Sequence, residues 1–398
     1  MCQTEDTAGL LHRIPSPVAP GRHDGAVPGT LDLARLRRHA VARSLLAPTS
    51  LPRAIERLGF VQADPIRAPA RAQDLILRHR VEGYRADEVE RRYPRLALEE
   101  DWLVNYGLLP RRHLALLHPR TPRRRWSALE RRRAAALLAF VRERGPCSWR
   151  EVEEAFDHGR TRNDWGGTSR ATTRLLDGLH YRGLLRVARR EQGLRVFEAA
   201  PPRLEDGLGP AGRADALLGL ALAAYAPLPE ASLGTLARFL RAGAPHLAAE
   251  LLRARDRALG RLPRAEVGGE RWCWPEGEDP RDPRWEEAEG ERVRLLAPFD
   301  PVVWDRRRFE VLWGWSYRFE AYLPEPRRRR GYYALPLLWR DRVVGWANLS
   351  VEGGRLRCAT GFEGAPPRGR AFRRGLEEEL AGMGRFLGLT GEAAAAGC

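Results

Sequence analysis

Residues 128–198 read as helix, helix, helix and β-hairpin in immediate succession, an order that few folds accommodate. The segment ALERRRAAALLAFVRER puts Leu137, Leu138 and Val141 on one helical face. Gly145 and Pro146 break that helix, and Ser148 with Glu151 forms a capping box for the next. Gly166 and Gly167 turn the chain, so a third helix is expected from Thr168 or Ser169, ending at Gly183. LLRVARREQGLRVFE then alternates with period two around a turn at Gln192-Gly193. Three helices and a two-stranded wing make a winged helix. Its third helix would present Ser169, Arg170, Thr173 and Arg174, and its wing Arg186, Arg189, Arg190 and Arg195. Such arginine-rich elements suit phosphate contact and groove insertion, although winged helices also serve as protein–protein scaffolds.

The same logic recurs on either side. Residues 31–47 and 50–58 have helical spacing, Gly59 ends the second helix, a short strand follows, and a helix is expected from about Pro65 to Arg80. Residues 213–275 read as three helices and a short wing around Gly268-Gly269. Strand-type residues and aromatics then dominate residues 292–390, with a run of arginines at Arg327–Arg330 and a closing helix from Arg370 to Leu387. The fold class expected is α+β, tandem winged-helix domains with a C-terminal β-rich domain. Its boundaries are a flexible leader at 1–30, winged-helix-like units at 31–127, 128–205 and 213–275, a linker at 276–291 and the last domain at 292–390.

A net charge of +16 favours a polyanionic partner, most simply nucleic acid. Every one of the 68 basic residues is arginine, so no lysine amine can form a Schiff base. Only the chain's N-terminal amine remains for such a reaction, so a water-using, monofunctional reaction is expected. The five cysteines (Cys2, Cys147, Cys273, Cys358 and Cys398) form no C-x-x-C pair, so neither a zinc ribbon nor an iron–sulfur cluster is expected. No cofactor or metal is expected. There is no membrane-length apolar run and no signal-peptide pattern, and a reducing cytoplasm suits the cysteines.

The chemistry concentrates in LGFVQADPIRAPARAQDLILRHR, from Leu58 to Arg80. If the strand runs through Asp64, Gln62 and Asp64 point the same way with Val61 and Ala63 behind. An amide beside a carboxylate can hold and polarise one water. Asp64 followed by Pro65 also reads as an ordinary N-cap and first helical residue.

GFVQADPIRAPARAQDL resembles the N-terminal signature of the crosslink-repair DNA glycosylase YcaQ family, AlkZ-like winged-helix proteins, in the branch whose motif is Gln-x-Asp. WGGTSRATTRLLDGLHYRGLLRVARR is similar to that family's middle domain. Phe299-Asp300-Pro301, Trp304-Asp305-Arg306 and Gly331-Tyr332-Tyr333 are similar to its C-terminal domain. The chain departs from the family pattern at Val104, where a His is expected, at Phe197-Glu198 in place of Tyr-Asp, and at Trp346 and Asn348 in place of Arg and Asp.

The resemblance implies hydrolysis of the N-glycosidic bond of N-alkylated purines, including those that crosslink the strands, by a monomeric and monofunctional enzyme. Asp64 would activate the water and Gln62 would orient it. Double-stranded DNA is the implied partner, with Arg71, the eight winged-helix residues above, Arg328 and Arg329 as contacts, and a cytoplasmic, nucleoid-associated location. The competing reading is a non-catalytic winged-helix regulator, for which Val104 is the strongest argument. The consecutive Glu99, Glu100 and Asp101 do not suit a nuclease metal site, since neighbouring carboxylates do not converge on one ion.

Overall fold

One topology recurs three times: helix, short strand, two helices, hairpin. The structure, a computed structural model, describes residues 29–45, 47–122, 124–162, 167–202, 207–286, 292–389 and 394–395. The expected leader up to Pro28, the turn at Gly166 and the end of the expected linker lie outside them. In the first unit α1 (Leu33–Leu45) precedes α2 (Leu51–Leu58), β1 (Val61–Gln62), α3 (Ala72–Leu77), α4 (Glu88–Arg92), β2 (Leu98–Trp102), β3 (Tyr106–Pro110) and the short α5 (Leu114–Leu117). The second unit comprises α6 (Ala128–Arg144), β4 (Cys147–Ser148), α7 (Trp149–Ala155), a hairpin of β5 (Arg160–Arg162) and β6 (Thr168–Arg170), then α8 (Ala171–Tyr181), β7 (Leu185–Glu191) and β8 (Leu194–Ala199). The third comprises α9 (Pro210–Tyr225), β9 (Leu228–Pro229), α10 (Glu230–Gly243), α11 (Ala248–Arg261), β10 (Arg264–Val267) and β11 (Glu270–Cys273).

The strand orders are β1-β3-β2, β4-β8-β7 and β9-β11-β10, so each unit inserts its last strand between the other two. Local chemistry accounts for the element ends. Gly59 caps α2 at φ 67°, where only glycine is unstrained. Ser127–Glu130 and Ser148–Glu151 are reciprocal capping boxes. The wing turns at Gln192-Gly193, φ 51° and 82°, as the sequence predicts.

The last unit is a sheet of β12 (Val293–Leu295), β13 (Leu335–Trp339), β14 (Arg342–Glu352), β15 (Arg355–Phe362) and β16 (Ala394–Ala395), with α12 (Arg306–Trp313) and α13 (Arg370–Leu387). The cores run across unit boundaries. Val61, Leu75 and Ile76 share one core with Leu137 and Phe197 of the second unit and with Leu335, Leu376 and Phe386 of the last. Phe60, Leu103 and Val104 join α9 and α10 in another. The first unit therefore sits at the junction of all the others.

Two expectations are corrected. Helix does not run from Pro65 to Arg80, because α3 spans only Ala72–Leu77. Pro65 and Pro69 lack amide donors, and the Asp64 carboxylate captures the Ile66 N–H in a local turn, so the chain stays irregular to Arg71. The third helix of the second unit starts at Ala171 instead of Thr168 or Ser169, because Thr168–Arg170 pairs with Arg160–Arg162.

Candidate active site

In the second and third units the first strand passes directly into the next helix, Ser148 to Trp149 and Pro229 to Glu230. In the first unit, residues 63–71 intervene between β1 and α3. The Gln-x-Asp motif lies on this departure from the repeat. Gln62 pairs with Gly107 in the sheet, and the Ala63 N–H donates to Tyr106 O at 3.0 Å, so the chain stays tied to β3 for one residue beyond β1. Gly107 is required there, because a side chain would collide with Val61 O and the Phe60 ring.

Gln62 is buried, and its Oε1 has no hydrogen-bond partner among the described residues. The Asp64 carboxylate is nearly buried. Its Oδ1 accepts from Ile66 N–H at 2.9 Å, and its own N–H donates to Gln73 Oε1 at 3.3 Å. Burial raises the Asp64 carboxyl above its ordinary value and outweighs the opposing Ile66 hydrogen bond. A carboxylate raised in this way is a better base than one free in water.

The C-terminal unit supplies a wall of tyrosines within residues 304–333, where the sequence, with aromatics interleaved among arginines, reads either as a stacking surface for an unstacked base or as a β-core. Tyr322 is exposed, Tyr332 is 45% exposed and Tyr333 is buried. Phe319 bridges Tyr322 and Tyr333, with ring centroids 5.7 Å and 5.3 Å away. Burial first and the Asp64 charge second raise the phenols of both Tyr322 and Tyr333, so the carboxylate stands beside this wall. The Gly331-Tyr332-Tyr333 signature was the available sequence signal. Other aromatics of the region are core: Trp313, Trp315 and Tyr317 pack around Phe309, and Trp304 stacks on Tyr225 at 4.2 Å.

The arginines divide into two sets. Arg186 is held by Glu99 and Glu198, Arg190 by Glu100 through two bonds of 2.7 and 2.6 Å, and Arg195 by Asp177 at 2.6 Å. Arg71 pairs with Glu90, whose carboxylate also accepts from the Gly193 N–H at the wing tip. The wing thus grips the first unit and pins the end of the motif segment. Arg189 pairs with Glu191 on the surface. Arg170 pairs with Glu153 at 3.1 Å, and it and Ser169 lie on β6, while Thr173 and Arg174 begin α8 half-buried. Arg328 lies over the Tyr332 ring at 5.1 Å, and Arg329 is exposed with no described partner. Arg330 is instead structural, sandwiched between Trp315 and Trp346, with its carbonyl held by Asn348 Nδ2 at 2.6 Å. The two family departures at 346 and 348 therefore support this loop.

Val104 is buried in the core shared with α9 and α10. His118 bonds Asp101 at 2.7 Å inside the cluster centred on Arg120, which also reaches Tyr181 O of the second unit and Gly243 O of the third. His113 is buried and pushed down to about 4 by burial and by Arg112. Glu99, Glu100 and Asp101 each turn to different cations, as their adjacency requires. No group of three or more metal-ligand side chains assembles among the described residues. Nor is any described helix long and apolar enough to cross a membrane.

The family model described as DNA glycosylase AlkZ-like matches residues 55–386. The chain is also similar in fold to Streptomyces sahachiroi DNA glycosylase AlkZ. That similarity has a TM-score of 0.60 at 16% identity, covering 92% of this chain and 99% of that one.

Proposed function

Since this chain belongs to the AlkZ-like DNA glycosylase family, with DNA as its partner, we propose that it releases N-alkylated purines, crosslinked ones included, by an Asp64-dependent attack of water. The observation that carries this reading is the motif segment itself. A near-buried carboxylate with a raised affinity for protons follows, two residues on, a buried amide oxygen that lacks a partner among the described residues. Both are acceptors, and together they can take the two protons of one water.

An N7-alkylated purine is cationic and departs without a strong acid. The enzyme must supply a nucleophile and negative charge beside the oxocarbenium-like sugar. Asp64 provides the charge and takes the water's proton, while Gln62 fixes the water's orientation. Tyr322 offers an exposed face on which the cationic base can rest. Arg328 and Arg329 are the phosphate contacts nearest this face. Arg71, Arg186, Arg190 and Arg195 instead hold the motif segment and the wing in place. Among the earlier candidates, Ser169, Arg170, Thr173, Arg174 and Arg189 remain as outer contacts. The absence of lysine leaves only the N-terminal amine for Schiff-base chemistry, which supports a monofunctional, water-using reaction. The regulator reading has Val104 as its main support, and that residue is core.

Single-turnover base release from a duplex carrying N7-methylguanine tests the proposal. Wild type should generate abasic sites. Asp64→Asn should lose about 10²–10⁴-fold in rate while retaining DNA affinity. Salt-dependent DNA binding without release by wild type would point to a regulator.

A further inference from the structure

The Tyr333 hydroxyl has no partner among the described residues, although the side chain is only 3% exposed. An orphaned hydroxyl in a core is unfavourable, so its retention calls for a use. The ring is fixed. It meets Phe319 edge-on at 88° and lies in the same core as Val61, the residue before Gln62. Neighbouring tyrosines do not share its condition, since the Tyr317 hydroxyl donates to Ala334 O at 2.7 Å.

Two acceptors lie on the motif side. Gln62 Oε1 is buried without a partner among the described residues, and no described group donates to Asp64 Oδ2, Oδ1 being committed to Ile66. A water needs acceptors for its two protons and a donor for one lone pair, with the other lone pair left to attack. Gln62 and Asp64 are the acceptors, and the donor is missing from the motif.

Resting on the Asp64 reading above, we infer that Tyr333 is the water-positioning donor of the active site, its hydroxyl holding the nucleophilic water against Gln62 and Asp64. The proton goes from water to Asp64 as the water oxygen bonds to the sugar and the base leaves with the glycosidic electron pair. Tyr333 keeps its proton throughout. Its raised phenol makes it a donor across the working pH range.

The test is Tyr333→Phe, which keeps the ring and removes the hydroxyl. Single-turnover release from N7-methylguanine duplex should fall about 10–100-fold with DNA affinity unchanged. The acid limb of the pH–rate profile should move to higher pH, because a dipole favouring ionised Asp64 is gone. The melting temperature should hold, since the hydroxyl has no partner among the described residues to lose. Tyr317→Phe is the structural control, expected to melt lower with the limb unmoved. An unchanged Tyr333→Phe rate, a rate loss without a limb shift, or a lower melting temperature would each overturn the assignment. If wild type and Asp64→Asn differ as proposed while Tyr333→Phe matches wild type, only Tyr333 is wrong. If wild type releases nothing, the catalytic reading fails and the Tyr333 role with it.

Discussion

At Asp64 the proposed function and stability oppose each other. Its folded carboxyl binds a proton more tightly than an unfolded one, so its contribution to stability is present at low pH and is lost as pH rises through the raised value. At neutral pH the ionised group therefore works against folding. Asp64→Asn should accordingly melt at or above the wild-type temperature while being inactive, and calorimetry at pH 7 checks this. A clear drop in melting temperature would mean that the carboxylate is held for structure. For the same reason, wild-type activity should fall on acidification at a pH above the ordinary aspartate value of about 3.9. The motif was legible as residue types and order. Its surroundings were not, because the tyrosines that feel the Asp64 charge, Tyr322 and Tyr333, lie far along the chain.

At the scale of elements, periodicity and caps revealed the winged helices, and the Ser148–Glu151 box and the Gln192-Gly193 turn formed where expected. What patterning could not show is where the wing points. Its arginines read as DNA contacts, yet Arg190 and Glu100 are 90 residues apart in sequence and meet in space. Local pattern has no means of pairing them. Burial pushes the Glu100 carboxyl up, and Arg190, aided by Arg195 and the Tyr106 hydroxyl, more than reverses this, so the pair stays charged. Arg190→Ala would leave that carboxylate buried and unpaired, a loss of about 3–5 kcal/mol. Arg190→Met combined with Glu100→Leu should recover much of it, as judged by urea unfolding. If Arg190→Ala instead weakened DNA binding without affecting stability, the wing would be a DNA contact after all.

Across the whole molecule the same pairing governs the response to acid and salt. His39, His79, His113 and His180 are buried and held below their ordinary value, with burial the main cause in each. The unfolded chain therefore takes up protons first, and their contribution to stability, present above about pH 6.5, is lost as pH falls. Glu278, held at about 2 against burial by His39 and Arg43, adds a second loss below about pH 4.3. Asp64 and Asp74, the latter raised to about 6 mainly by burial, offset part of this. The urea midpoint should thus fall steadily from pH 6.5 downward, and a flat profile to pH 4.5 would contradict it. The net charge of +16 invites the view that any arginine serves DNA. The wing pairs neutralise themselves internally, whereas Arg328 and Arg329 stand beside the tyrosine wall with no acidic partner among the described residues. Each phosphate neutralised contributes about 0.9 to the slope of log affinity against log salt. Removing both Arg328 and Arg329 should therefore flatten that slope by about 1.8. Arg186→Ala in a stable background should leave it unchanged. A flattened slope from Arg186→Ala, with none from the Arg328 and Arg329 pair, would move the DNA to the wing.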